Sequence, residues 1–201
     1  MIQFDNCVLR FGKLILNELK EANINCWIAG GSLRDYFAGI NKPTDYDIFF
    51  PDPIEFEKCK SFFLIKKAVI IWESENGMKV VYNNRKFDLV KKFFPDPQAT
   101  INEFDFTVSM FAVDNNKVYY GETSFIDLAK RQLMINKITY PASTLSRGFR
   151  YYKKGFLMCQ DEMKKIVLAI QGMPKQEEND ITPNENQPPS NINDPFFWGF
   201  D

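Results

Sequence analysis

Three acidic residues stand where apolar strands would be expected to carry valine or isoleucine: Asp45 and Asp47 in TDYDIFF, and Asp88 in KFDLV. On a strand, residues i and i+2 share a face and lie about 7 Å apart. Asp45 and Asp47 are therefore expected on one face, with Tyr46 and Ile48 turned to the core. Carboxylates held together repel and lose hydration unless a cation sits between them. A divalent metal does this well, because hard oxygen donors suit Mg²⁺ (or Mn²⁺), which keeps waters and shares the phosphate oxygens of a substrate. Two such ions about 4 Å apart can hold the attacking and leaving oxygens of a phosphoryl transfer. That chemistry calls for a third carboxylate on a neighbouring strand, and Asp88 fits. The alternative is that all three are exposed edge residues with no joint role.

A second feature precedes the acids. Gly30-Gly31-Ser32 ends one apolar stretch and opens a helical one, fourteen residues from Gly31 to Asp45. Glycines let backbone approach a phosphate, and a helix start offers N–H groups to it. Alone, such a triplet reads as a plain turn. Placed just before Asp-x-Asp, it predicts a pocket shared by a triphosphate and metal. The chain has no histidine, which removes histidine acid–base catalysis, Ser-His triads and imidazole metal ligands. Cys7, Cys26, Cys59 and Cys159 are scattered without Cys-x-x-Cys pairing, and read as reduced, mostly packed thiols.

The elements that must position these residues follow from periodicity. Asn6–Asn23 has helical apolar spacing, INCWIAG is a short strand, and SLRDYFA is a short helix stopped by Gly39. TDYDIFF is a strand closed by Pro51 and Pro53, and a helix follows around Pro53–Phe63. AVIIWES and MKVVYNN read as strands joined across Glu75-Asn76-Gly77, and KFDLVKKF as another, ended by PDPQ. DFTVSMFAVD and KVYYG look like a hairpin across Asp114–Asn116. Ser124 with Asp127 resembles a capping box. Helices are expected over Ser143–Leu157 and Gln160–Ile170. The order predicts an α+β fold, a small mixed, mostly antiparallel sheet flanked by helices and followed by a short helical extension. The expected division is a head over 1–140, a neck-like helical extension over 141–172, and an acidic, disordered tail over 173–201.

Charge and composition bound the rest. The chain of 201 residues is net −1, and six acids against one base from Met173 onward give that stretch −5, leaving +4 before it. A mildly basic body suits a polyanionic partner. Lys130, Arg131, Lys137, Arg147, Arg150, Lys153, Lys154, Lys164 and Lys165, with Tyr151 and Tyr152 among them, could form a nucleic-acid path or simply a solvated helix face. The tail ends in PFFWGFD, a candidate peptide for a protein partner or for folding back. No apolar run reaches the roughly 18 residues of a membrane span and no signal peptide is evident, so no membrane partner and a cytoplasmic setting are expected.

GGSLRDYFAG followed by DYDIFF resembles the head of the DNA polymerase β-like nucleotidyltransferase superfamily. Within it the chain is similar to the bacterial poly(A) polymerase and CCA-adding tRNA nucleotidyltransferase branch, whose pattern is GGxVRDxxxG…DxDI. DFTVSMFAVD is similar to that branch's RRDFTxNALxYD, IDLAKRQL to DLxxxxIR, and LSRGFRYYKKGF to LRAxRFAxxxGF. The resemblance covers about residues 25–157. It implies that Asp45, Asp47 and Asp88 are the metal-binding catalytic carboxylates and that Gly30, Gly31 and Ser32 bind the triphosphate. It matches Arg34 and Asp35 to the Arg-Asp pair of the motif, Asp105 to an acid linked to the nucleotide sugar, and Arg147 and Arg150 to helix arginines lining the nucleotide cleft. The implied partners are an NTP and an RNA acceptor. The branch also selects its base through an EDxxR segment, and that slot here is Tyr140-Pro141-Ala142-Ser143-Thr144. Both selecting side chains are missing, Glu103 and Phe104 replace the arginines of RRDFT, and the helical body that holds tRNA finds no counterpart. The expected activity is nucleotidyl transfer from an NTP to an RNA 3′ end with pyrophosphate release. The alternatives are a protein or small-molecule acceptor, as in toxin-type or antibiotic-modifying relatives, or a non-catalytic binding subunit recruited through its C-terminal peptide.

Overall fold

A computed structural model of the chain describes residues 15–40 and 45–172. The helix start expected at Asn6, Cys7, residues 41–44 and the PFFWGFD peptide lie outside them. Helix α1 is helical over residues 15–21. It leads through Asn23 in the left-handed region, φ 62°, into strand β1 (Trp27–Ala29). After the glycine turn come α2 (Gly31–Phe37), β2 (Tyr46–Phe49), α3 (Pro53–Ile65), β3 (Val69–Glu73), β4 (Gly77–Tyr82) and β5 (Arg85–Val90). Helix α4 (Pro97–Asn102) and a 3₁₀ turn at Thr107–Ser109 precede β6 (Phe111–Val113) and β7 (Val118–Tyr120). Three helices close the described chain: α5 (Ser124–Lys130), α6 (Pro141–Lys153) and α7 (Gln160–Gln171).

The strands form one seven-stranded sheet in the order β3-β4-β5-β2-β1-β6-β7. Every pairing is antiparallel except β2 with β5. The expected α+β architecture is what the chain adopts. One face of the sheet carries Ile28, Tyr46, Ile48, Met78, Val80, Phe87 and Leu89. It buries them against Leu16 and Leu19 of α1 and Phe56, Cys59 and Phe63 of α3. Burial pushes the thiols of Cys26 and Cys59 well up, so both are inert packing groups, while Cys159 is exposed. The opposite face is divided. At one end Trp27, Ala29, Phe49 and Val90 pack under Ile101 of α4 and Phe94 and Phe104. At the other end the same face carries Asp47 and Asp88.

Several local expectations change. DFTVSMFAVD is not one strand: Thr107–Ser109 turns, and only Phe111–Val113 pairs with β7. The turn is held by Thr107 N–H on the Met134 carbonyl at 3.0 Å and by the Thr107 hydroxyl donating to Asp127 at 2.8 Å. Asp127 also accepts from the Thr123 hydroxyl at 2.6 Å, so Thr123, not Ser124, precedes α5 and no capping box forms. Asn83 and Asn84 are not strand but a tight turn, both with φ near +50 to +60° (50° and 59°). Paired left-handed residues match the twist of a two-residue hairpin. Helix α4 was not foreseen, though Asp96-Pro97 repeats the logic of Asp52-Pro53. In both, the aspartate caps the helix through the N–H three residues on, at 2.9 Å to Glu55 and 2.7 Å to Ala99, and proline takes the first turn. Proline also starts α6 at Pro141, two residues before the expected Ser143.

Candidate functional site

The acids are assembled by strand register. Asp47 on β2 lies beside Asp88 on β5, and Asp88 lies opposite Lys79 on β4. Cross-strand partners share a face, so Asp47, Asp88 and Lys79 form a row across three strands. Asp45 precedes β2, two residues from Asp47, and reaches the same row. The ammonium of Lys79 donates to Asp45 Oδ2 at 3.2 Å and lies 3.1 Å from Asp88 Oδ2. Nothing in the sequence reading singled out Lys79. The signal was present, because the Asn83-Asn84 turn pairs Tyr82 with Arg85 and counting back sets Lys79 opposite Asp88.

Burial shapes the electrostatics. It pushes the Asp88 carboxyl up to about 6; Lys79 draws it down in part, and Asp45 adds to the rise. For Lys79 burial works against the ammonium, but Asp88 and Asp45 together hold it above its ordinary value. Asp88 Oδ1 is buried and has no hydrogen-bond partner among the described residues. Among those residues no three acidic or thiol groups converge closely enough to hold a metal as they stand. The donors are nonetheless hard carboxylate oxygens, one of them an orphaned buried acceptor. That set suits a divalent cation.

The glycine turn meets the acids at the same end of the sheet, since Ala29 pairs with Asp47 and Gly30 follows Ala29 directly. Gly30 has φ 89° and ψ −137°, a region open only to glycine, and its N–H is fixed on the Phe111 carbonyl at 2.9 Å. Gly31 and Ser32 begin α2. The Ser32 hydroxyl is buried and, among the described residues, without a partner. A buried hydroxyl and a buried carboxylate oxygen, each unpaired, thus flank this end of the sheet. Polar atoms left so cost stability, and a water, an ion or a ligand completes them.

Arg34 and Asp35 are spent differently. Arg34 is 1% exposed; its Nε donates to Asp35 at 2.7 Å and its Nη1 to the Tyr151 hydroxyl at 2.8 Å. Its guanidinium also lies over the Tyr151 ring, 4.8 Å from the centroid. The Tyr151 hydroxyl in turn pairs with Ser109. The Arg-Asp pair therefore ties the turn to α6 from inside, and Tyr151, expected on a nucleic-acid path, is core.

Asp105 is likewise buried, accepting from the Thr144 hydroxyl at 2.8 Å and from Arg147. The Thr144 hydroxyl is committed to Asp105 and to the Tyr140 carbonyl. Asp105, Arg147, Tyr151, Ser109, Lys92 and Tyr140 line a cavity of about 60 Å³. Ligand pockets run to about 300 Å³ or more, so a nucleotide base needs this cleft to widen. Arg150 lies on α6 one turn after Arg147, partly buried. Other members of the basic set are paired internally: Lys137 with Glu103 at 2.6 Å, Lys164 with Asp161 at 3.5 Å, and Lys165 with Glu162 at 2.5 Å. A larger groove of about 670 Å³ between α1 and α3 opens on the opposite side of the sheet from the acids and is lined mainly by apolar groups.

Solved structures share this architecture. A Thermotoga maritima CCA-adding enzyme in complex with tRNA superposes with a TM-score of 0.63 at 16% identity, over 83% of this chain and 44% of that one. A Bacillus stearothermophilus CCA-adding enzyme in complex with CTP gives 0.63 at 16%, over 82% and 44%. A tRNA nucleotidyltransferase with a primer tRNA and an incoming ATP analogue gives 0.61 at 16%, over 78% and 50%. The chain spans about half the length of the structures it matches. Fold and sheet place it in the nucleotidyltransferase class of architecture. More narrowly, the sequence profile of the Gabija anti-defense 2 family matches residues 3–131, and the chain belongs to that family. No curated protein matches it by sequence. No helix among the described residues is long and apolar enough to cross a membrane.

Proposed function

We propose that the chain is a metal-dependent nucleotidyltransferase that moves a nucleotide from an NTP to a hydroxyl acceptor. The observation that carries this is that the glycine turn and the row of Asp47 and Asp88 share one end of the sheet, with the Ser32 hydroxyl and Asp88 Oδ1 each buried and unpartnered among the described residues. Gly30, Gly31 and Ser32 receive the β- and γ-phosphates, and Asp45, Asp47 and Asp88 hold the divalent cation, Mg²⁺ or Mn²⁺. A bound cation supplies charge neutralisation at the transferring phosphate and acidifies the attacking hydroxyl. Asp88, the third carboxylate of the row, is the group placed to help position or deprotonate the attacking hydroxyl. The acceptor oxygen bonds to the α-phosphorus, the α–β phosphoanhydride bond breaks, and pyrophosphate leaves. Asp105, Arg147 and Arg150 border the sugar and base. Thr144 in place of a selecting arginine leaves base choice to shape and stacking, with exposed Tyr140 at the cavity rim.

The first acceptor in this reading is an RNA 3′ end, supported by the likeness to enzymes solved with tRNA. The family's description, an anti-defense directed at Gabija, favours a second: a hydroxyl on a component of that defence system. The test incubates purified protein with Mg²⁺ and each α-labelled NTP, alongside total RNA or cell protein. Label on RNA supports the first acceptor and label on protein the second. No label on RNA, on protein or on any small acceptor contradicts the transfer reading.

A further inference from the structure

Lys79 is an unusual residue for its position. Mid-strand, half-buried sites favour β-branched or aromatic side chains, and lysine is rarely buried unless paired. Its side chain is only 16% exposed, and its ammonium is shared between Asp45 Oδ2 and Asp88 Oδ2 at 3.2 and 3.1 Å. It is therefore no surface lysine passing through the site. It sits between two of the three carboxylates, where a metal bridging them would have to sit. A divalent cation at the same point would meet a compact positive charge held there by the sheet. The opposite oxygen of Asp88, Oδ1, remains buried and unpartnered.

We propose that Lys79 is a tethered cation filling one of the two cation positions of the acid cluster, so that the site takes up one divalent ion where a bare carboxylate triad takes two. This rests on the nucleotidyl-transfer reading. Lys79 holds Asp45 and Asp88 at fixed separation, and the single metal takes carboxylate oxygens that Lys79 does not hold, Asp88 Oδ1 among them. The remaining ion neutralises the phosphates, while the ammonium takes over charge compensation beside Asp88.

The test counts bound metal rather than turnover. Full-length protein is titrated with Mn²⁺, and free Mn²⁺ is read by electron paramagnetic resonance, for wild type, Lys79→Arg and Lys79→Met. Circular dichroism confirms that each variant is folded. One Mn²⁺ per chain is expected for wild type and Lys79→Arg. Lys79→Met is expected to bind two, the first at least tenfold more tightly than in wild type. Two Mn²⁺ in wild type, or an unchanged count of one in Lys79→Met, overturns the tethered-cation role and leaves the transfer reading standing. If Lys79→Met fails to fold, Lys79→Gln, which keeps an N–H donor without the charge, is judged by the same counts. Absence of Mn²⁺ binding in every protein overturns both readings together.

Discussion

Asp88 and Lys79 lie opposite each other on paired strands, and the same burial acts on both in opposite senses of charge. Burial raises the Asp88 carboxyl to about 6, against an ordinary value near 4. Between those two values the native protein keeps a proton that the unfolded chain has already released. Stability supplied by that proton is complete below about pH 4 and is lost as pH rises through about 6. Asp88→Asn removes this titration. In urea unfolding without added metal, wild type should therefore lose stability relative to Asp88→Asn between pH 4.5 and 6.5; parallel changes in the two proteins would contradict the buried-carboxyl assignment. The acids themselves were legible in the sequence, because Asp45, Asp47 and Asp88 interrupt apolar strands. Lys79 was not, because lysine between Met78 and Val80 reads as an ordinary outward residue until the register is known. Tyr151 lies among basic residues in the sequence and suits a nucleic-acid path or a solvated helix face, but in the fold it is buried with its hydroxyl accepting from Arg34.

The β4–β5 hairpin sets which residue faces Asp88. Its two-residue turn fixes Tyr82 against Arg85 and so Lys79 against Asp88, and a shift of one residue would turn Lys79 to the packed face. Asn84 holds φ 59° in that turn, a conformation glycine adopts without a steric penalty. Asn84→Gly is expected to raise stability by about 0.5 kcal/mol, and Asn84→Val to lower it by about 1–2 kcal/mol; chemical denaturation checks both. A larger loss of metal binding than of stability in Asn84→Val would show register slipping at the site. Most strands and helices could be read from apolar spacing, since their buried positions alternate by two or recur by three and four. The failures were of another kind. Thr107–Ser109 looks like strand by composition, yet its hydroxyls are drawn to Asp127 and Tyr151, partners remote in sequence. The α4 helix was hidden in a segment read only as a strand terminator, although Asp96-Pro97 is the same cap that starts α3.

Across the described chain, α6 is tied to the rest of the fold from inside. The tie is a buried relay from Arg34 through the Tyr151 hydroxyl to Ser109. Tyr151→Phe keeps the ring under the Arg34 guanidinium but removes the hydroxyl. It should cost about 1–3 kcal/mol, because buried donors and acceptors lose a partner; urea unfolding reads this directly. The same variant loosens the narrow cleft at Asp105 and Arg147, so nucleotide affinity should change more than the chemical step. The central proposal is that the glycine turn and three carboxylates move a nucleotide. The most direct measurement compares α- and γ-labelled ATP, or whichever NTP is active, in wild type and in Asp45→Ala/Asp47→Ala. The account predicts acceptor labelling from the α-label only, released pyrophosphate carrying the γ-label, and loss of both in the double variant. Transfer of the γ-label to the acceptor, or α-label transfer that survives the double substitution, would contradict it.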